Sequence, residues 1–165
     1  MQPDCKQTRG AGGADQTRAA LGISRGRAWW QDRLMEREPR LGCGAAIVIA
    51  GQILLIQRRH DPEALHWGLP GGKVEWLEPV TAAVAREVLE ELGIVIQPSR
   101  LLCVCDQIDP AAGTHWLAPV YWVDAYEGEP RVMEPDKHMA CGWFPLDELP
   151  APLTAATRMA LGALC

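Results

Sequence analysis

The stretch Gly71–Ile94, GGKVEWLEPVTAAVAREVLEELGI, brings together the carboxylates of Glu78, Glu87, Glu90 and Glu91. The last three are spaced i, i+3, i+4, which on a helix puts them on one face within about a turn. Like charges at that spacing destabilise an isolated helix by roughly 0.2–0.5 kcal/mol per pair. A solvated surface could carry that cost, and so could a bound cation. Two neighbours favour the cation. Arg86 lies one turn before Glu90 and can hold its carboxylate, and Gly71-Gly72 can bring a tight backbone up to a ligand. Hard oxygen ligands on a rigid element suit magnesium or manganese.

The helix that must carry these acids can also pack. Val84, Val88 and Leu92 fall together, flanked by Thr81, Ala85 and Leu89, on the side away from the acids. Pro79 suits the first helical position, where its missing N–H is no loss, and Gly93 suits the C-terminal stop.

These residues resemble the Nudix box. Its fixed positions correspond here to Gly72, Glu78, Arg86-Glu87-Val88, Glu90-Glu91 and Gly93-Ile94, and each one matches. The similarity continues in Arg58-Arg59, in Trp67-Gly68-Leu69-Pro70 and in Trp143 to Pro150, so that it spans about residues 42 to 163. One position departs: relatives often carry Gly directly before the first Glu of the box, where this chain has Leu77.

The resemblance implies an α/β fold, the Nudix alpha/beta/alpha sandwich with a mixed β-sheet between helices, over residues 41–165. It implies a hydrolase that uses Mg2+ (or Mn2+) to cleave the pyrophosphate linkage of a nucleoside triphosphate, or of another nucleoside diphosphate linked to a group X. Glu87, Glu90 and Glu91, with the carbonyl of Gly71, are the expected metal ligands. Arg86 is expected to orient Glu90, and Glu78 to partner Arg86 or serve as an outer ligand. For the general base the candidates are a box acid such as Glu90 and the later Glu134, whose stretch resembles that of MutT-type enzymes. Glu129 and Asp136 are its rivals. Arg59 is the expected phosphate contact at the end of its strand, and Lys73 a second one.

Substrate identity is less legible. The short chain looks like the MutT-like branch, yet the Asn that reads the purine in guanine-sanitising relatives has no counterpart at Pro150-Ala151-Pro152-Leu153. Pro110, some sixteen residues past the box, matches a proline of ADP-ribose-cleaving relatives, although a turn wants a proline there anyway. ADP-ribose pyrophosphatase is therefore the alternative. A catalytically silent nucleotide-binding or regulatory module is a second, and an isomerase of the same fold a third. Trp67, Trp116 and Trp122 could stack a base but suit a core or dimer role better, and His60 and His66 suit an exposed loop.

Length and composition agree with one ordinary domain: 165 residues, 48% hydrophobic and 22% charged. A net charge of −5 argues against a nucleic acid polymer as partner. No apolar run approaches the ~18 residues of a membrane span. Six cysteines without a CxxC pair fit a reducing cytoplasm rather than a disulfide framework. A homodimer is left open.

Residues 1–40 read as a Gly- and Arg-rich extension, either disordered or carrying a poorly docked helix around Ala28 to Glu38. Met35 is a candidate start, and Trp29-Trp30 a candidate interaction anchor. The expected elements after it are strands at Gly44–Ala50 and Ile53–Arg59 around a turn at Gly51-Gln52, and a short strand and loop over Gly68–Val74. Strands follow at Leu101–Gln107, Trp116–Tyr126 and His138–Phe144. A last helix spans Pro152–Leu164, its stripe being Leu153, Ala156, Met159 and Ala160.

Overall fold

The computed structural model describes residues 38–164. The expectations placed on residues 1–37, including Met35 and Trp29-Trp30, lie outside them. The elements are β1 (Arg40–Leu41), β2 (Gly44–Ile49), β3 (Gln52–Arg58), β4 (Trp67–Gly68), α1 (Val80–Leu92), β5 (Val95–Ile96), β6 (Arg100–Asp109), β7 (Thr114–Val123), β8 (Tyr126–Glu127), β9 (His138–Pro145) and α2 (Ala155–Gly162).

The alternation of apolar residues along β2 and β3 explains the layers. Ala45, Ile47, Leu54 and Ile56 join Val84, Val88 and Leu92 of α1 in one buried cluster. Their neighbours in sequence point the other way: Ala46 packs with Cys105, Val120 and Ala160 of α2, and Val48 with Ile53 and Leu55. Successive strand residues face opposite sides, so a strand apolar at every position must be covered on both. The result is the expected sandwich of a mixed sheet between two helices.

β7 runs parallel to β1 and β2 on one side and antiparallel to β6 on the other. β3 pairs antiparallel with β9 along its length, with β2 beside the hairpin and with β4 at its far end. Where β2 and β3 diverge, the glycine loop after β4 fills the gap. Cys43 N–H donates to the Gly72 carbonyl at 2.8 Å and Ala45 N–H to the Pro70 carbonyl at 2.9 Å. The loop ahead of α1 is thereby stitched to the centre of the fold.

Several details differ from the expectation. The β2–β3 turn centres on Ala50 and Gly51, at φ 50° and 79°, one residue earlier than expected. A two-residue turn of this hand needs positive φ at both positions. The strand expected to reach Tyr126 ends at Val123, and Tyr126–Glu127 pairs instead with Val95–Ile96 in a small second sheet. Two-residue strands carry no readable periodicity. In α2, Met159 is 42% exposed and the buried residues are Thr157 and Ala160, the Thr157 hydroxyl facing inward to accept from Leu69 N–H at 3.0 Å. Among the described residues no helix is long and apolar enough to cross a membrane.

Candidate active site

The site is built from the glycine loop and α1. Gly71 adopts φ 146°, and a Cβ there would overlap the Cys43 carbonyl oxygen and lie 2.7 Å from Gly44 Cα. Only glycine fits, and the resulting backbone aims Gly71 N–H at Glu91 Oε2, 2.9 Å away. At Gly72 a Cβ would lie 2.5 Å from Glu87 Cδ, so this carboxylate occupies the space a side chain would take. Two adjacent glycines thus let the loop rest against two acids of the helix.

Pro79 is the residue before the helix, not its first. It is extended, with ψ 136°, and its carbonyl accepts from Ala83 N–H at 3.0 Å. Gly93 ends α1 at φ 69°, donating to the Leu89 carbonyl, as expected. The acids do not all lie opposite the core stripe. Glu91 follows Val84 by almost two full turns, so it falls in line with that stripe and is buried, at 5% exposure. Leu89 and Thr81, expected on the apolar flank, are exposed, and Ala83 is buried in their place.

Arg86 organises the remaining acids. Its Nε donates to Glu78 Oε1 at 2.8 Å and Nη2 to Glu78 Oε2 at 3.0 Å, a two-pronged pair. Nη1 reaches Glu87 Oε1 at 2.9 Å and Glu90 Oε2 at 3.2 Å, and Nη2 also donates to the Lys73 carbonyl at 3.1 Å. The expected contact with Glu90 exists but is the longest of these. The Arg86 hydrogen bonds, and then the backbone N–H of Glu75, hold the Glu78 carboxyl down at about 2. Leu77 sits between them at φ 65°, in the left-handed region that favours glycine.

A cavity of about 340 Å³ opens beside this helix. Glu87 and Glu91, both glycines, the cations Arg58, Lys73 and Lys137, and the rings of His60 and His138 line it. Burial pushes the Glu91 carboxyl up to about 8, with the Gly71 N–H acting against it and the charges of Glu87 and Glu134 adding to it. Next to Glu91 stands His138, 7% exposed, its Nε2 3.4 Å from Glu91 Oε1. Burial lowers the basicity of this ring. Glu134 Oε1 accepts from Lys137 Nζ at 2.8 Å, while its Oε2 is buried without a hydrogen-bond partner. Glu91, Glu134 and His138 each bring a ligand atom within 4.8 Å of the others, the one such set among the described residues. Converging carboxylate oxygens, one of them orphaned, fit a divalent cation.

Of the residues singled out from sequence, Gly71, Lys73, Glu87 and Glu91 line the cavity, and Glu134 stands beside Glu91. Glu90 is outside the lining, its side chain 49% exposed and tied to Arg86. Arg59 is also outside: its Nε donates to the Pro135 carbonyl at 2.8 Å, and the alternation along β3 brings Arg58 to the cavity instead. His60 lines the cavity with Nε2 at 2.7 Å from the Asp136 carbonyl oxygen, whereas His66 bonds its ring to the carbonyl of Ala64. Glu129 is exposed.

Lys137 and His138 are site residues that the sequence does not single out, and of the pair Arg58-Arg59 the cavity takes Arg58. Residues 134–138 do carry a signal, since Lys137 and His138 follow Glu134 at i+3 and i+4 and both donate their backbone N–H to its carbonyl. Trp67 packs edge-on against Phe144 at 4.8 Å between ring centres, a core role. Trp116 and Trp122 carry Arg40 and Arg100 over their rings. Pro110 lies in the β6–β7 turn, where Asp109 Oδ1 accepts from Ala111 and Ala112 N–H.

The NUDIX domain family model matches residues 39–161. The chain is 33% identical over 112 residues to a protein named ADP-ribose pyrophosphatase from Methanocaldococcus jannaschii, a match covering 68% of this chain and 65% of that one. It is 39% identical over 107 residues to a "Putative 8-oxo-dGTP diphosphatase 2" from Mycobacterium tuberculosis, covering 63% of this chain and 72% of that one. Among solved structures it is similar to a MutT NUDIX hydrolase from Burkholderia pseudomallei, at 63% identity and a TM-score of 0.76, over 78% of this chain and 99% of that one.

Proposed function

The chain belongs to the NUDIX domain family, and on that premise we propose that it hydrolyses the pyrophosphate linkage of a nucleoside triphosphate or of another nucleoside diphosphate linked to X, with Mg2+ or Mn2+. One observation carries this reading: a single cavity is lined by box acids, Glu87 and Glu91, together with the cations Arg58, Lys73 and Lys137. The cations suit the negative oxygens of a diphosphate, and the acids suit the ion that must neutralise it.

Glu87, Glu91 and Glu134 would hold the metal, with Glu90 and the Gly71 carbonyl as further ligands. When bound, the ion polarises a phosphoryl oxygen and lowers the pKa of water. The chain's own residues do the rest. Arg86 fixes Glu87 and Glu90 by charge-assisted hydrogen bonds and is itself anchored by Glu78. Gly71 N–H fixes Glu91. Arg58 and Lys73, joined by Arg59 if it releases the Pro135 carbonyl, would hold the leaving phosphate. Glu90 or Glu134 would accept the proton of the attacking water. Residues 41–165 would carry the activity and residues 1–40 would be an extension. The free thiols of Cys43, Cys103, Cys105 and Cys141 support a cytoplasmic setting.

The test is release of phosphate or pyrophosphate, with Mg2+ or Mn2+, across nucleoside triphosphates, ADP-ribose and dinucleoside polyphosphates. Loss of a metal's outer partner already costs about 10–100-fold, so Glu91→Gln should lower turnover by more than that. Preference for ADP-ribose is the second reading, supported by the name of the archaeal relative. Silence of the folded, metal-loaded protein on the whole panel would turn the weight to a binding module.

A further inference from the structure

We propose that His138 gives this site a nitrogen ligand, which makes it select Mn2+ (and Co2+) over Mg2+. The inference rests on the metal-dependent reading above and concerns which ion that reading employs. The box acids alone are hard oxygen donors that would serve magnesium well. His138 changes the donor set. It opens β9 directly opposite Arg58 in the β3–β9 ladder, so its backbone is fixed by the sheet. The ring is more than nine-tenths buried, at 7% exposure, and belongs to the set with Glu91 and Glu134 whose ligand atoms lie within 4.8 Å.

The ring is not committed elsewhere. Its Nε2 stands 3.4 Å from Glu91 Oε1, beyond the usual N–H···O range, and its Nδ1 is buried without a partner. Glu134 Oε2 is buried and unpartnered as well, while Lys137 occupies only the other oxygen. Buried polar atoms without partners are rare in folded proteins. Glu134 Oε2 is one such atom, and an ion held by this converging set would satisfy it while taking the His138 nitrogen that faces Glu91. A nitrogen donor binds the first-row transition ions, weakest at manganese and more tightly at cobalt, whereas magnesium keeps oxygen ligands and water, so a ring nitrogen in the set favours the former over magnesium.

The experiment uses the full chain loaded with Mn2+. Spin-echo resonance reads nitrogen coupled to the manganese, and the signal of free Mn2+ gives its Kd, with Mg2+ as competitor. The wild-type protein should show nitrogen coupling that persists in His60→Gln and is lost in His138→Gln. Because loss of a positioned partner weakens a metal site by about 10–100-fold, His138→Gln should weaken Mn2+ by at least about tenfold, with Mg2+ shifted much less. Wild-type manganese without nitrogen coupling overturns the proposal, and so does an equal loss of both ions in a folded His138→Gln. A melting curve checks folding, and His138→Asn replaces the variant if Gln unfolds it. If the wild-type protein binds neither ion, the metal-dependent reading itself fails. If Glu91→Gln abolishes binding of both ions while His138→Gln changes nothing, only this inference does.

Discussion

Alanine at Gly72 should disable the site and spare the fold, whereas alanine one residue earlier should damage the fold. The difference is what the new Cβ meets. At position 72 it lies 2.5 Å from Glu87 Cδ and 2.7 Å from Oε1, the far end of a flexible side chain. Carbon contacts settle at about 3.5 Å, so the carboxylate must retreat by about 1 Å. Glu87 is tied to Arg86 Nη1 at 2.9 Å, and the retreat strains that bond too. A misplacement of about 1 Å costs about 100-fold in rate, or ~2.7 kcal/mol of barrier. The backbone at Gly72 lies outside the left-handed region, and alanine there should change stability by less than ~1 kcal/mol. At position 71 the obstacle is the backbone of Cys43 and Gly44, with φ at 146°. That conformation alone costs an L-residue of order 1–3 kcal/mol. Displacing β2 adds to it, and a total above ~3 kcal/mol is a large share of the ~5–15 kcal/mol that holds a domain together. Urea unfolding measures the stability change, and kcat/KM for pyrophosphate release the rate change. The reasoning is wrong if Gly72→Ala keeps full turnover, or if it unfolds as readily as Gly71→Ala.

Leu77→Gly should stabilise the protein by roughly 1 kcal/mol, since relief of a left-handed residue (of order 1–3 kcal/mol) exceeds the entropy cost of glycine (about 0.5–1). Leu77 is 86% exposed, so almost no burial is lost, and a lowered melting temperature would contradict the strain at φ 65°. Arg86→Lys keeps the charge but loses the fork onto Glu78. It should lower kcat by about 10–100-fold, with only ~1 kcal/mol of stability lost in this half-exposed network. Unchanged kcat would show that Arg86 does not position the acids. Glu78 is held near 2 in the folded state, below its ordinary value of 4.5, so its contribution to stability is present above that value and lost as pH falls through about 2. Glu78→Gln should therefore be less stable than wild type at neutral pH and converge on it toward pH 2. A deficit that does not shrink would refute the ionic origin.

Period and punctuation made most of the fold legible. β2 and β3 are apolar at nearly every position, which demands a sheet covered on both faces, and the clusters divide their residues by turns between α1 and α2. Gly93 and the β6–β7 turn were readable because φ constrains the residue type. The β5–β8 sheet was not, since two residues per strand leave no pattern and its pairing joins segments some thirty residues apart. The expected Pro79 start and Gly51-Gln52 turn each missed by one residue, because caps are set by backbone angles that neighbouring residues can equally adopt.

Chemistry written in spacing was legible in the same way, and chemistry assembled by packing was not. Arg86, Glu78, Glu87, Glu90 and Glu91 interact through helical neighbours and the short loop before them, so the box announces their network. Even here, spacing could not say which acid would be buried. That depends on the roll of α1 against the sheet, and the roll puts Glu91 in line with Val84 while leaving Glu90 at the surface. The choice between Arg58 and Arg59 turns on the same kind of fact, the phase of β3 relative to the cavity. His138 lies outside the box and reaches Glu91 only because β9 pairs with β3 in the register Arg58 to His138. A register is a property of two distant segments together, and neither segment records it alone. The part of the site that we infer to choose the ion is therefore the part that long-range pairing supplies, and the part that the box encodes is the part that any divalent ion would share.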